Sequence, residues 1–388
     1  MQLKAVVNCK AVTEDRIIDD AVIIIDGDRI LKFGNREQIF IPESAELIDA
    51  EGYYAGPGFI DTHCHGGGGY YVDENPDTVA SVHLKHGTTG MLATTAFTEK
   101  ERVFESLNTL LEGFKGTYGS LFLGIHMEGP YTNPKYGSMV SSIRLPDPEE
   151  YNRILSLAAD KIKVWTLAPE LEGSDDFIEA VSKKGIILSV GHSEASAERI
   201  HSLVPKGLRL ACHCMDATGI TPSPARHRGT REVGVDEAVM VCDDIYTEVI
   251  PDSLGLHVRP LMLRLLIKAK GVDRVVIITD AIELAGTMDQ KHFAVDGRET
   301  SRNYTDVHFD DNGELSGSKL TMDCAVRNMM KHTGIGLIEA FKMASLNAAT
   351  LLGLQHDIGS IGEGKKANIV IVTENMEVKK VIFEGGLI

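Results

Sequence analysis

Phe59-Ile60-Asp61-Thr62-His63-Cys64-His65 is an apolar, strand-like run that ends in two histidines at alternate positions and opens into Gly66 to Gly69. Residues two apart in a strand share a face, so His63 and His65 point one way and Cys64 the other. Two imidazoles converging at the end of a buried strand form a clamp for a metal ion. A lone pair of this kind also describes polar residues finishing a strand, so its meaning depends on the rest of the chain.

Downstream of this run, apolar stretches recur at Thr88 to Thr95, Leu121 to Met127, Ile162 to Leu167, Gly185 to Val190, Leu208 to Cys214, Tyr246 to Ile250 and Arg274 to Thr279. Between them, segments such as Glu99 to Phe114, Asp147 to Ala159 and Asp175 to Lys184 carry apolar residues at helical spacing. Eight strand–helix units in roughly 290 residues predict a (β/α)₈ barrel, whose parallel strands are buried on both faces. A doubly wound open sheet would call for a Gly-rich nucleotide loop; GxGxxG and GxxxxGK[ST] are absent, and Gly66 to Gly69 lacks the lysine and the helical start. Short β elements precede the barrel at Leu3 to Cys9, Ala21 to Asp26 and Ile30 to Phe33, and follow it at Ala367 to Thr373 and Val378 to Phe383. Both termini are therefore expected to build one small β-sandwich domain, residues 1–57 and 355–388, around a barrel of residues 58–354.

The 388 residues include 39 Lys+Arg against 56 Asp+Glu, a formal charge of −17 that repels nucleic-acid phosphates. No apolar run approaches the ~18 residues of a membrane span, and Met1 to Lys10 lacks the pattern of a secretory signal, so the cytoplasm is the expected compartment. The six cysteines are scattered without CxxC spacing, as reduced thiols would be. One local basic cluster, Arg226, His227, Arg228 and Arg231, could meet a small anion or be a solvated loop.

Chemistry in such a barrel gathers at the C-terminal ends of the strands. Five of the eight predicted strands end in metal-ligand residue types: His63 and His65, His126-Met127-Glu128, Gly191-His192-Ser193, Cys212-His213-Cys214, and Thr279-Asp280. Imidazoles and carboxylates in this number suit one or two divalent ions, Zn²⁺, Fe²⁺, Mn²⁺ or Co²⁺. Such an ion makes a nucleophile from water at neutral pH, and Asp280 beside it is placed to carry a proton to a leaving amine. His126 lies one layer below Glu128 and reads as a hydrogen-bonded interior histidine. Cys212 and Cys214 alternate with His213 and are expected to face the helices as packing residues. Tyr131, Asn133 and Ser193 read as ordinary loop residues.

The segments PGFIDTHCHG (57–66), GIHMEGP (124–130), SVGHS (189–193), IITDAIELAG (277–286), GELSGSKLTMDCAVRNM (313–329), MASLNAATLLGL (343–354) and GSIGEGKKANIVIV (359–372) together resemble the N-acetylglucosamine-6-phosphate deacetylases of the amidohydrolase superfamily. The resemblance implies a metal held by Glu128, His192 and His213, with Asp280 as acid and base. It also implies a second ion on His63 and His65, with Glu128 reaching both, and preferably Zn²⁺ or Fe²⁺. His257 would contact the substrate near its scissile amide, in a homodimer that converts an N-acetyl amino sugar phosphate to acetate and the free amine. On the sugar side the chain departs from its relatives. Asp216-Ala217 replaces the Asn-Ala of the phosphate contact, Met139 stands where a histidine is usual, and Arg231-Glu232-Val233-Gly234 replaces a displaced REPG. Alternatives are a related hydrolase for N-acetylgalactosamine 6-phosphate, an unphosphorylated amino sugar or an N-acyl amino acid, or a non-catalytic barrel.

Overall fold

The structure, a computed structural model, describes residues 3–95, 99–137, 140–287, 305–310 and 313–388. Eight strands run in one parallel series, each paired with its sequence neighbour: Phe59–Cys64, Thr88–Thr95, Phe122–Glu128, Ile162–Leu167, Ile187–Val190, Leu208–Ala211, Tyr246–Val249 and Val275–Ile277. All six residues of the first strand and all eight of the second are buried, as expected where helices cover the outside and side chains fill the inside. The helices take the sequence's start signals literally. Asn75 and Asp147 accept hydrogen bonds from the backbone N–H groups of Thr78 and Glu149, and Pro76 and Pro148 occupy the first turn.

Closure of the barrel brings the eighth strand against the first. Asp280 N donates to His63 O at 2.9 Å and His65 N to Ala281 O at 2.9 Å. One turn deeper, Thr279 Oγ1 donates to Asp61 Oδ2 at 2.5 Å. Burial pushes the Asp61 carboxyl up to about 7, against the lowering effect of its bonds from Thr279 and His63. The hydrogen bonds that close the cylinder therefore also fix Asp280 beside the histidine pair.

Two additions frame the barrel. A hairpin, Val307–Phe309 with Leu315–Ser318, is tied to the end of the eighth strand by Ser318 N to Asp280 O at 2.8 Å and Ile282 N to Ser318 O at 2.9 Å. The chain termini form one forked sheet of eight strands, in which Lys4–Val12 pairs antiparallel with Ile17–Asp26 and in parallel with both Glu46–Asp49 and Tyr54–Pro57. Tyr54–Pro57 continues the sheet to Ile369–Val372, so the two ends of the chain share one hydrogen-bonded layer. Val6, Ile23, Ile25, Ile369, Ile371 and Ile382 form its apolar core. Among the described residues no helix is long and apolar enough to cross a membrane, and the six cysteines are free thiols.

Phe341 is the bolt between this sheet and the barrel. Its ring stacks on Phe59 with centroids 5.7 Å apart, and it lies so flat on Gly56 that a Cβ there would stand 2.3 Å from Phe341 Cε1. Phe341→Ala opens a cavity at both surfaces and is expected to cost about 3–5 kcal/mol, read as a lower denaturant midpoint at unchanged slope. An unaltered midpoint would show that the two parts hold together without it.

Candidate metal centre and cavity

The ends of strands one, three, five, six and eight deliver their side chains to one point. His63 Nε2 and His65 Nε2 stand 3.2 Å apart, while Cys64 turns the other way to meet His83 Nε2 at 3.3 Å, as strand alternation requires. Three of the converging residues leave strand geometry altogether: His192, His213 and Asp280 have φ of 48°, 25° and 49°. Side chains other than glycine seldom adopt this region, and such strain gathers at functional sites. Gly191 allows one of these turns, since a Cβ there would lie 2.6 Å from Cys212 Cβ.

Glu128 sits between two donor sets. Its Oε1 is 2.8 Å from His192 Nε2 and 3.1 Å from His213 Nε2, and those two nitrogens are 3.0 Å apart. Its Oε2 is 3.4 Å from His63 Nε2 and 3.1 Å from His65 Nε2. Asp280 Oδ1 completes the second set at 3.3 Å from His63 Nε2 and 3.1 Å from His65 Nε2.

These spacings fit cations. Donor atoms about 2.0–2.1 Å from a shared ion stand about 3.0–3.4 Å from one another. The tautomers require the same. His192 Nδ1 faces the Tyr136 carbonyl at 3.1 Å and His213 Nδ1 the Asp216 carbonyl at 3.3 Å, and a carbonyl only accepts. With each proton held on Nδ1, both Nε2 atoms present lone pairs to each other and to a carboxylate oxygen, a cluster of acceptors that needs a cation at its centre. Burial opposes ionisation of Glu128, but positive charge among the surrounding donors, supplied by charged imidazoles of His63, His192 and His213 or by a cation in their place, holds the carboxyl well below its ordinary range. Asp280 is lowered in the same way by His63 and His65. Burial likewise disfavours a charged His65, yet its bonds to Asp280 and Glu128 raise it to about 9.

His126 is an interior histidine, with Nε2 2.8 Å from Thr166 Oγ1, and burial drives it far below its ordinary value. Cys214 packs outward, its Sγ 3.6 Å from Asp236 Oδ1. Cys212 corrects the expectation made for it: its Sγ points inward, 3.5 Å from His63 Nδ1 and 3.9 Å from Glu128 Oε1. The sixth strand ends at Ala211 and the backbone turns at His213, so strict alternation no longer governs the pair.

The cluster forms the floor of a cavity of about 300 Å³ walled by Tyr71, Tyr136, Asp216, Ala217, His257 and the hairpin residues Glu314 to Gly317. Both ring nitrogens of His257 face acceptors, Asp252 Oδ2 at 3.1 Å and Gly317 O at 3.2 Å. Burial works against its charged form, but Asp252 and Asp216 raise it above the usual histidine range. Arg231 is not brought here: its guanidinium is 79% exposed and pairs with Glu237 Oε1 at 2.7 Å. Met139 lies outside the described residues. Asn133 and Ser193, read as loop residues, both hold Glu170, with Asn133 Nδ2 at 2.9 Å and Ser193 Oγ at 2.7 Å. The hairpin and Tyr71 went unassigned in the sequence; the only signal for Tyr71 was its place just beyond Gly69, in the loop after the histidine pair.

A family model described as the amidohydrolase family matches residues 54–388. The chain is 31% identical to the N-acetylglucosamine-6-phosphate deacetylase of Bacillus subtilis (strain 168), covering 97% of this chain and 94% of that protein. It is also 31% identical to the N-acetylgalactosamine-6-phosphate deacetylase of Escherichia coli O157:H7, covering 89% and 90%. Among solved structures, the N-acetylglucosamine-6-phosphate deacetylase from Pasteurella Multocida superposes with a TM-score of 0.87 at 32% identity, covering 100% of this chain and 99% of that one.

Since Glu128 faces both donor sets, Glu128→Ala is expected to lose metal from both, whereas His192→Ala loses it from one. Elemental analysis of protein purified without chelators, alongside circular dichroism to establish folding, reads the difference. A folded Glu128→Ala protein with its full metal complement would refute the shared carboxylate.

Proposed function

The chain belongs to the amidohydrolase family, and from that premise we propose that it hydrolyses the N-acetyl group of an amino sugar phosphate, N-acetylglucosamine 6-phosphate foremost, to acetate and the free amine. The observation that carries this reading is Glu128 shared between two donor sets, with Asp280 beside them on the wall of one cavity. Similarity to deacetylases along nearly the whole chain supports the substrate class.

His192, His213 and Glu128 Oε1 would hold one divalent ion, and His63, His65, Asp280 and Glu128 Oε2 a second, Zn²⁺ or Fe²⁺ foremost on family likeness, with Mn²⁺ and Co²⁺ equally suited to the donors. Bound there, such ions would supply activation of water at neutral pH and polarisation of the acetyl carbonyl. Asp280 accepts the proton of the attacking water as oxygen adds to the carbonyl carbon. It returns that proton to the amino nitrogen as the C–N bond breaks. His257, protonated on both nitrogens, offers its Nε2–H to the substrate in place of the Gly317 carbonyl. Asp216 and Ala217 border the sugar. The reading extends to a homodimer in the cytoplasm, on family likeness.

Turnover of N-acetylglucosamine 6-phosphate and of the unphosphorylated sugar by the wild-type protein and by Asp280→Asn tests both parts. The phosphorylated sugar is expected to be preferred, and the variant to retain the ion at His192 and His213 while kcat falls by about 10²-fold or more. A preference for the unphosphorylated sugar, which the Asp216 carboxylate on the cavity wall would favour, contradicts the phosphate assignment. Undiminished hydrolysis by the variant removes Asp280 from the chemistry.

A further inference from the structure

Beneath the histidine pair lies a carboxylate that the reaction does not use. Glu248, at the inner face of the seventh strand, is fully buried. Its Oε1 accepts a hydrogen bond from Thr62 Oγ1 at 2.5 Å, and its Oε2 has no hydrogen-bond partner among the described residues. That oxygen stands 3.6 Å from His63 Nδ1, the nitrogen opposite the one facing Asp280, His65 and Glu128. A buried carboxylate oxygen with an unmade hydrogen bond is costly, so its retention calls for a partner. The donor that faces it is His63 Nδ1–H, short of a normal hydrogen bond by about half an ångström, a gap a small rotation of the imidazole would close as Nε2 binds an ion. The competing acceptor for that proton is Cys212 Sγ, 3.5 Å away, a sulfur and so a weak one.

We infer that Glu248 is a positioning residue for the second ion: it takes the Nδ1–H of His63, fixes the tautomer that leaves Nε2 free to coordinate, and sets a negative charge beneath the cation. The chemistry is that of a carboxylate–histidine–metal series, in which the outer carboxylate orients the ring and strengthens it as a ligand. Thr62 supports it by holding Oε1 and directing Oε2 at the ring. The inference rests on the reading of His63 and His65 as ligands, and it is local to them. His192 and His213 draw their orientation from the Tyr136 and Asp216 carbonyls, so the first ion does not depend on Glu248.

The test is Zn²⁺ titration of metal-stripped protein against a chromophoric chelator, comparing the wild type with Glu248→Gln and Cys212→Ala. Glutamine keeps the shape but replaces the anionic acceptor, so affinity for one ion is expected to fall about 10–100-fold while the other is bound as before. Cys212→Ala is expected to keep both. Wild-type affinity at both sites in a folded Glu248→Gln protein overturns the inference, as does loss of the second ion in Cys212→Ala alone. If Glu248→Gln fails to fold, Glu248→Asp, which withdraws the carboxylate by one methylene, is expected to show the same selective weakening, and intact affinity there overturns the inference equally. A wild-type protein that binds a single ion would instead overturn the two-ion reading itself, so the two failures are distinguishable without any measurement of hydrolysis.

Discussion

Everything at the centre of this barrel depends on how the Glu128 carboxylate is shared. Each of its oxygens faces two imidazole nitrogens at 2.8–3.4 Å, so four histidines from three different strands are organised by one side chain. Its charge cannot be neutralised by a proton without abandoning those contacts, and burial leaves it little exposure to solvent. Positive charge between the donors stabilises the site, and among the described residues the ion-pair partners of Glu128 are histidines alone. An arrangement that would be a liability in an apoprotein suits a pair of candidate cation sites, the reading proposed above.

The barrel maintains that arrangement through backbone geometry rather than side-chain reach. His192, His213 and Asp280 each leave their strand through a left-handed turn, and the bonds that close the cylinder between His63, His65, Asp280 and Ala281 are made by the same residues whose side chains converge. Closing the fold and assembling the site are one event. Strand pairing below, including Thr279 on Asp61, makes the strained turns affordable because the segments leading into them have no freedom to relax.

Much of this was readable in the chain. The histidine pair, the recurrence of strand and helix, and ligand residue types at five strand ends follow from periods of two and of 3.6, which are local properties. What escaped was governed by departures from those periods. Cys212 turned inward because its strand stops at Ala211, a boundary set by pairing with neighbouring strands and invisible in Leu208 to Cys214 alone. The hairpin wall from Glu314 to Gly317 is held at the cavity by its ties to Asp280, Ile282 and His257, long-range contacts no spacing announces. Arg231 drew notice as part of a basic cluster, yet charge in sequence says nothing of direction, and its side chain settles on Glu237.

The central claim is that one carboxylate divides this cavity floor into two cation sites. Anomalous diffraction from crystals of the protein soaked in Zn²⁺, recorded on both sides of the zinc absorption edge, addresses it directly. The account predicts two peaks flanking Glu128, one among His192, His213 and Oε1 and the other among His63, His65, Asp280 and Oε2. A single peak confined to one set, or zinc bound elsewhere while Glu128 keeps its imidazole contacts, would contradict it.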